Sequence, residues 1–173
     1  MGDSQTVNEF VAFARGRSGT GPPDFTLEPL SAHQFVPLPA EALADSWVCK
    51  DCGFRAPRNN QHFMNCSQCH GEMRGWFNRG GYEWCIENWG TKWGLYDICV
   101  DDADLDVGVI RYTFSTAWSP PTPIIEAMSE RFPSLDFAHD YYESGSGFQG
   151  HFIYNGGNEG GGWEGPYHGN RGG

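Results

Sequence analysis

Apolar and polar positions divide the chain into helical and strand-like stretches. Tyr82, Cys85, Ile86 and Trp89 stand at i, i+3, i+4 and i+7, one face of a short helix, and Gly90 follows as the residue suited to end it. Leu95 to Val100 then reads as a strand. Ile110, Tyr112 and Phe114 alternate with Arg111, Thr113 and Ser115, which predicts one face on a core and one in water.

Upstream, Thr6 to Gly16 has the pattern of a helix. Thr6 and Glu9 have capping-box spacing, and Val7, Phe10, Val11 and Ala14 form its apolar stripe. Arg17 to Pro23 reads as a flexible loop, and Phe25 to Pro39 as extended chain with a strand at His33 to Val36. Downstream, Thr122 is placed to cap a helix with Pro123 at its first position, an inner face of Ile125, Met128 and Phe132, and Pro133 as its stop. Leu135, Phe137 and Tyr141 mark one further strand and Phe148, Phe152 and Tyr154 another, across the turn Ser144 to Gly147. Beyond Asn155 the glycine-rich tail has too little apolar content to pack and is expected to be disordered or loosely docked, with Trp163 and Tyr167 its only anchors. Helices mixed with hairpins in this order predict an α+β fold, an antiparallel sheet with helices on one face.

Residues 45–79 interrupt this pattern and bring in chemistry. Cys49-Lys-Asp-Cys52 and Cys66-Ser-Gln-Cys69 form two C-x2-C knuckles thirteen residues apart, and four thiolates at this spacing satisfy tetrahedral zinc. Gly53 and Gly71 fall just after each knuckle, where the chain must turn. A four-sulfur site has no open position, so one structural Zn2+ per chain is the expectation. Three alternatives stand beside it: disulfides, a histidine (His62 or His70) replacing one cysteine, and haem attachment at Cys66-Ser-Gln-Cys69-His70. The expected division is therefore a discontinuous domain of residues 1–44 and 80–155, an inserted zinc ribbon at 45–79, and a tail at 156–173. The remaining cysteines, Cys85 and Cys99, read as buried inert thiols.

Charge sharpens the contrast between insertion and body. The formal net charge is −11, which argues against general affinity for phosphate backbones. Between Lys50 and Arg79, however, five cations face Asp51 and Glu72, a local +3 that leaves −14 on the rest. An acidic body suits a protein partner with a basic surface, and equally suits simple solubility. Asp101, Asp102, Asp104 and Asp106 are its densest acidic stretch. Their spacing opens like a calcium loop, but the glycine comes one position late and Thr113 stands where a glutamate is required, so a solvated hairpin loop is the expectation. Trp84, Asn88, Lys92, Trp93 and Trp118 form the candidate contact surface, since tryptophan beside a cation suits a protein hot spot or a stacked base; the competing role is to roof the core. No phosphate-binding loop or catalytic triad stands out, no apolar run reaches membrane-spanning length, and the start lacks the pattern of a signal peptide, so a cytoplasmic protein is expected.

Several long stretches carry a resemblance. WCIENWGTKWGLYD, FSTAWSPPTPIIEAMSERFP and YYESGSGFQG, with VNEFVAFARG and FVPLPAEAL upstream, resemble the YubB-type ferredoxin-like domain family of phages, plasmids and genomic islands. The resemblance implies a ferredoxin-like fold and a mobile-element setting in a bacterial cell, and it implies no reaction. It also implies a strand ahead of the first helix, for which the six residues before Val7 leave little room, and a shorter connection where the cysteines lie. The resulting expectation is a non-enzymatic zinc-containing binding protein, engaging a host protein such as a nucleic-acid-binding defence or regulatory factor. The alternative is a nucleic-acid-binding module using the basic ribbon and the tryptophans.

Overall fold

The computed structural model describes residues 3–17, 27–43, 46–57, 65–76 and 81–169. Helix α1 (Ser4–Ala14) buries Val7, Phe10 and Ala14 as its apolar spacing requires. Its cap is Asp3, whose Oδ1 accepts from the Thr6 backbone N–H at 2.9 Å, so Thr6 lies within the first turn and the expected Thr6–Glu9 capping box is not used. The expected strand at His33 to Val36 is instead a single helical turn, α2 (Ala32–Phe35), led by buried Ser31 and followed by a 3-10 turn at Ala40–Leu43. Packing decides this: the His33 ring lies edge-on to Trp89 at 4.9 Å, and the Trp89 indole N–H donates to the Val36 carbonyl at 2.8 Å. The expected loop after Arg17 lies almost wholly outside the described residues.

Strands β1 (Ser46–Cys49), β2 (Arg55–Pro57) and β3 (Met73–Trp76) form a separate antiparallel sheet in the order β2-β1-β3. It has its own small core of Trp47, Cys49, Ala56, Cys66 and Met73. Helix α3 (Tyr82–Trp89) returns the chain to the main body and ends at Gly90, whose φ is 74°. A side chain there would also meet the Pro123 ring at 2.8 Å, so glycine is needed for both backbone and space.

The body continues with the hairpin β4 (Tyr96–Asp104) and β5 (Val109–Ser115), helix α4 (Thr122–Arg131), and the antiparallel strands β6 (Phe137–Glu143), β7 (Phe148–Asn155) and β8 (Asn158–Pro166). Helix α4 carries a proline in its first turn, but its cap position is Pro121 and Thr122 is already helical. Ile124, Ile125 and Met128 of α4 join Phe10, Leu30, Cys85, Trp89, Leu95 and Tyr154 in one core, with Ile110, Tyr112, Phe114 and Phe137 packed against it. The architecture is α+β and ferredoxin-like, with the helices on one side of antiparallel strands.

Two expectations change here. Much of the tail is not loose: β8 pairs with β7 from Phe148↔Pro166 to Asn155↔Asn158. Glycine makes this pairing feasible, because a side chain at Gly162 would run into the His151 carbonyl and the Phe152 ring. Cys99 lies exposed on β4, whereas Cys85 is fully buried.

Candidate functional site

The four-cysteine cluster is built from two matching turns. Cys49 ends β1, and the Gly53 N–H donates back to the Cys49 carbonyl at 3.1 Å. The His70 N–H does the same to the Cys66 carbonyl at 2.9 Å. Gly53 (φ 73°) and His70 (φ 61°) hold equivalent left-handed positions. The turning residue of the second knuckle is thus His70 rather than Gly71; the Asp51 carboxylate occupies the space a side chain at Gly71 would take.

These turns aim all four sulfurs at one point, each within 4.8 Å of the others. The Cys49 and Cys69 sulfurs are 3.4 Å apart and those of Cys52 and Cys66 are 3.7 Å apart. A tetrahedron of sulfurs about 2.3 Å from zinc has edges of about 3.8 Å, so the donor set fits such an ion. All four thiols are free. Their electrostatics point the same way. The Cys52 backbone N–H, working against burial, draws the Cys49 thiol down to about 7. Cys69 is pushed up to about 12: the Gly71 N–H pulls it down, and the neighbouring Cys52 and Cys49 sulfurs more than reverse that. One thiolate is easily held, further ones repel it, and a dication is what would let all four ionise. The cluster could therefore hold a metal ion through Cys49, Cys52, Cys66 and Cys69. His70 is not part of it, and His62 lies outside the described residues.

The basic character of this module is partly neutralised. Lys50 pairs with Glu72 at 2.6 Å, and Arg55 reaches Glu83 of α3 at 3.2 Å, an ion pair that ties module to body. Arg58 and Arg79 lie outside the described residues.

Of the aromatic candidates, the structure brings Lys92, Trp93 and Trp118 together and adds Tyr82. The Lys92 ammonium sits 2.8 Å from the centre of the Trp118 ring, 5.7 Å from that of Tyr82 and 6.0 Å from that of Trp93. Trp118 is 72% exposed and Trp93 45%. Trp84 and Asn88 are placed differently. The half-buried Trp84 packs edge-on to Trp89 at 5.5 Å, and the Asn88 amide donates to the Trp84 carbonyl at 2.9 Å within its own helix. Spacing assigns Tyr82 to the inner stripe of α3, yet it is 39% exposed, and only the fold brings Lys92 back over it.

Trp118 has φ of 70°, a left-handed conformation that costs a bulky residue about 1–2 kcal/mol. Its neighbours impose it. The Ala117 N–H donates to Thr91 Oγ1 at 3.0 Å, Thr91 Oγ1 donates to the Ala117 carbonyl at 3.2 Å, and Ser119 Oγ donates to the Gly90 carbonyl. Thr116 Oγ1 closes the loop on the Ser119 carbonyl at 2.8 Å. A loop held at both sides thus presents one large ring to solvent, beside a 280 Å³ recess shared with Tyr96, Tyr142 and Glu143.

The acidic residues Asp101, Asp102 and Asp104 are exposed along β4, and Asp106 lies in the turn after it. Asp102 stands opposite Arg111 in the ladder, and Asp101 accepts from the Thr113 hydroxyl. Among the described residues these carboxylates do not converge on a common point.

Residues 95–162 match the family model described as the ferredoxin-like domain in Api92-like protein. The match supports a ferredoxin-like domain family, and it spans β4, β5, α4, β6, β7 and most of β8, leaving the cysteine module outside it. No curated protein and no solved structure matches the chain. Among the described residues, no helix is long and apolar enough to cross a membrane.

Proposed function

We propose that this is a non-enzymatic binding protein that uses the surface around Trp118 to engage a protein partner, with a zinc ribbon as a structural accessory. The observation that carries this reading is the Lys92–Trp118 pair on its clamped loop. An exposed tryptophan held against a backbone penalty is hard to account for by packing, and a rigid aromatic beside a cation is a typical hot spot. Zinc is the metal best suited to four thiolates in a closed tetrahedral site. The acidic body, including Asp101, Asp102, Asp104 and Asp106, favours a partner with a basic surface.

The resemblance to phage and plasmid domains supplies the setting of this proposal, a mobile-element protein acting in the cytoplasm of its bacterial host on a defence or regulatory factor. The alternative, nucleic acid bound through the ribbon, is weakened by the pairing of Lys50 and Arg55 with acids. Capture from host lysate with and without nuclease tests the choice. A nuclease-resistant protein partner that is lost with Trp118→Ala supports the reading; recovery of nucleic acid alone overturns it.

A further inference from the structure

Two sulfur contacts in the cysteine cluster join one knuckle to the other. Cys49 Sγ lies 3.4 Å from Cys69 Sγ, and Cys52 Sγ lies 3.7 Å from Cys66 Sγ. Each of these pairs combines a buried residue with an exposed one: Cys49 and Cys66 are buried, Cys52 and Cys69 exposed. The arrangement follows from the fold. Cys49 ends β1 and shares the module's small core with Cys66, while the second cysteine of each knuckle sits out on its turn.

Zinc holds its sulfur ligands as thiolates, and a thiolate within reach of solvent is open to electrophilic oxidants. A site with all four cysteines buried would be inert. This one exposes a cysteine in each knuckle and keeps a buried partner against it.

We propose that Cys52 and Cys69 form an oxidation site for a small peroxide, through which the module exchanges its zinc for two disulfides, Cys49–Cys69 and Cys52–Cys66. The inference rests on the zinc reading above and adds a reaction to it. The Cys69 thiolate attacks one peroxide oxygen, the O–O bond breaks, hydroxide leaves, and the sulfur is oxidised to a sulfenic acid. The Cys49 thiolate then attacks that sulfur, the S–O bond breaks, a second hydroxide leaves, and the disulfide is complete. Cys52 and Cys66 repeat the sequence. Each disulfide consumes one peroxide and gives it two electrons, and the metal departs as Zn2+ once its thiolates are spent.

The fold favours pairing between the knuckles over pairing within them. Closing either contact to the disulfide length of about 2 Å moves each sulfur by less than about 1 Å. A bond within one C-x2-C knuckle constrains only a single turn. Bonds between knuckles link residues 20 and 14 positions apart and restrict the unfolded chain far more. The oxidised module therefore keeps its knuckles together without a metal. Of the other cysteines, Cys85 is fully buried in the body and Cys99 is exposed on β4, so Cys99 is the competing thiol.

The test uses the full chain carrying Cys99→Ser, loaded with zinc, freed of excess metal and titrated with hydrogen peroxide while a chromogenic chelator reports free zinc. The expected results are about one zinc released per chain for about two peroxides consumed, loss of the four cluster thiols, and disulfides mapped by mass spectrometry to Cys49–Cys69 and Cys52–Cys66. Dithiothreitol with zinc should restore the starting state. Amide exchange in β1, β2 and β3 should be at least about tenfold slower in the oxidised chain than in the reduced chain stripped of zinc, because only the first is cross-linked. A chain that holds zinc and keeps it under peroxide, pairs its cysteines within each knuckle, or passes on to sulfinic acid overturns this inference alone. A chain that takes up no zinc overturns the zinc reading and this one with it.

Discussion

Among the described residues, the body buries thirteen in one core that includes Trp89, Leu95, Ile124 and Tyr154. Among the described residues, the cysteine module buries five, of which two, Cys49 and Cys66, are members of the thiol cluster. Its three strands are three or four residues long, against seven to nine in the body. A core that small does not offset the entropy of ordering its chain, and small folds of this kind depend on a metal or a disulfide. If burial holds one region together and the proposed zinc the other, each should fail under a different insult.

The largest effect expected is on the module. A structural zinc site contributes on the order of 10 kcal/mol, so Cys66→Ser, or chelation of the parent, should unfold β1, β2 and β3 outright. Metal analysis should find one zinc per parent chain and none in the variant, and amide exchange should become fast in the module while the body stays protected. Full zinc occupancy in both Cys66→Ser and Cys49→Ser would remove the ligand assignment. The converse variant strikes the body. Trp89→Ala deletes a fully buried ring and its bond to Val36, and should cost about 3–5 kcal/mol while zinc stays bound.

Acid provides a graded version of the same contrast. Burial draws the His139 imidazole down to about 4, with Asp140 opposing. Its folded value lies below the ordinary 6.5, so the unfolded chain takes up the proton first. The stability it supports is complete above about 6.5 and is lost as pH falls toward about 4, up to roughly 3 kcal/mol. Comparing thermal melts of the body in parent and His139→Leu across that window should show a flatter pH dependence in the variant. Identical slopes would mean that His139 is not the titrating group.

Much of the body was legible along the chain because side chains carry its pattern. Helices α1, α3 and α4 follow from apolar spacing and β5 to β7 from alternation; β4 was read only as far as Val100, and its continuation to Asp104, expected as a loop, is exposed and carries no apolar pattern. Strand β8 was not legible: Gly161 and Gly162 pair through backbone alone and Gly160 falls at a register shift, so there is no alternation to read. The single turn α2 is too short for a period to show, and its conformation is set by Trp89, far away in sequence. The four-cysteine cluster was visible because knuckle spacing is local. The aromatic cluster was only partly visible: Lys92 and Trp118 are 26 positions apart and meet only through the loop clamped on Thr91 and Gly90.

Smaller effects sharpen the boundary between the two regions and the role of the rings. Trp84→Ala should cost the body about 1–3 kcal/mol, since the half-buried Trp84 ring packs on Trp89. Trp118→Ala should change stability, read from thermal melts, by less than about 0.5 kcal/mol while abolishing partner capture. A large loss from Trp118→Ala would make it a core residue after all. Smallest of all is the exposed pair between module and body: Arg55→Ala should cost no more than about 0.5 kcal/mol, read as a difference in melting between parent and variant.

The ladder of the module brings its first and last paired residues together. Ser46, at the start of β1, stands opposite Trp76, at the end of β3. Opposed residues of an antiparallel pair lie only about 5 Å apart. Thirty-one residues of sequence, 46–76, are thus spanned by a single step across the sheet, and hydrogen bonds at that one rung close the loop that carries all four cysteines.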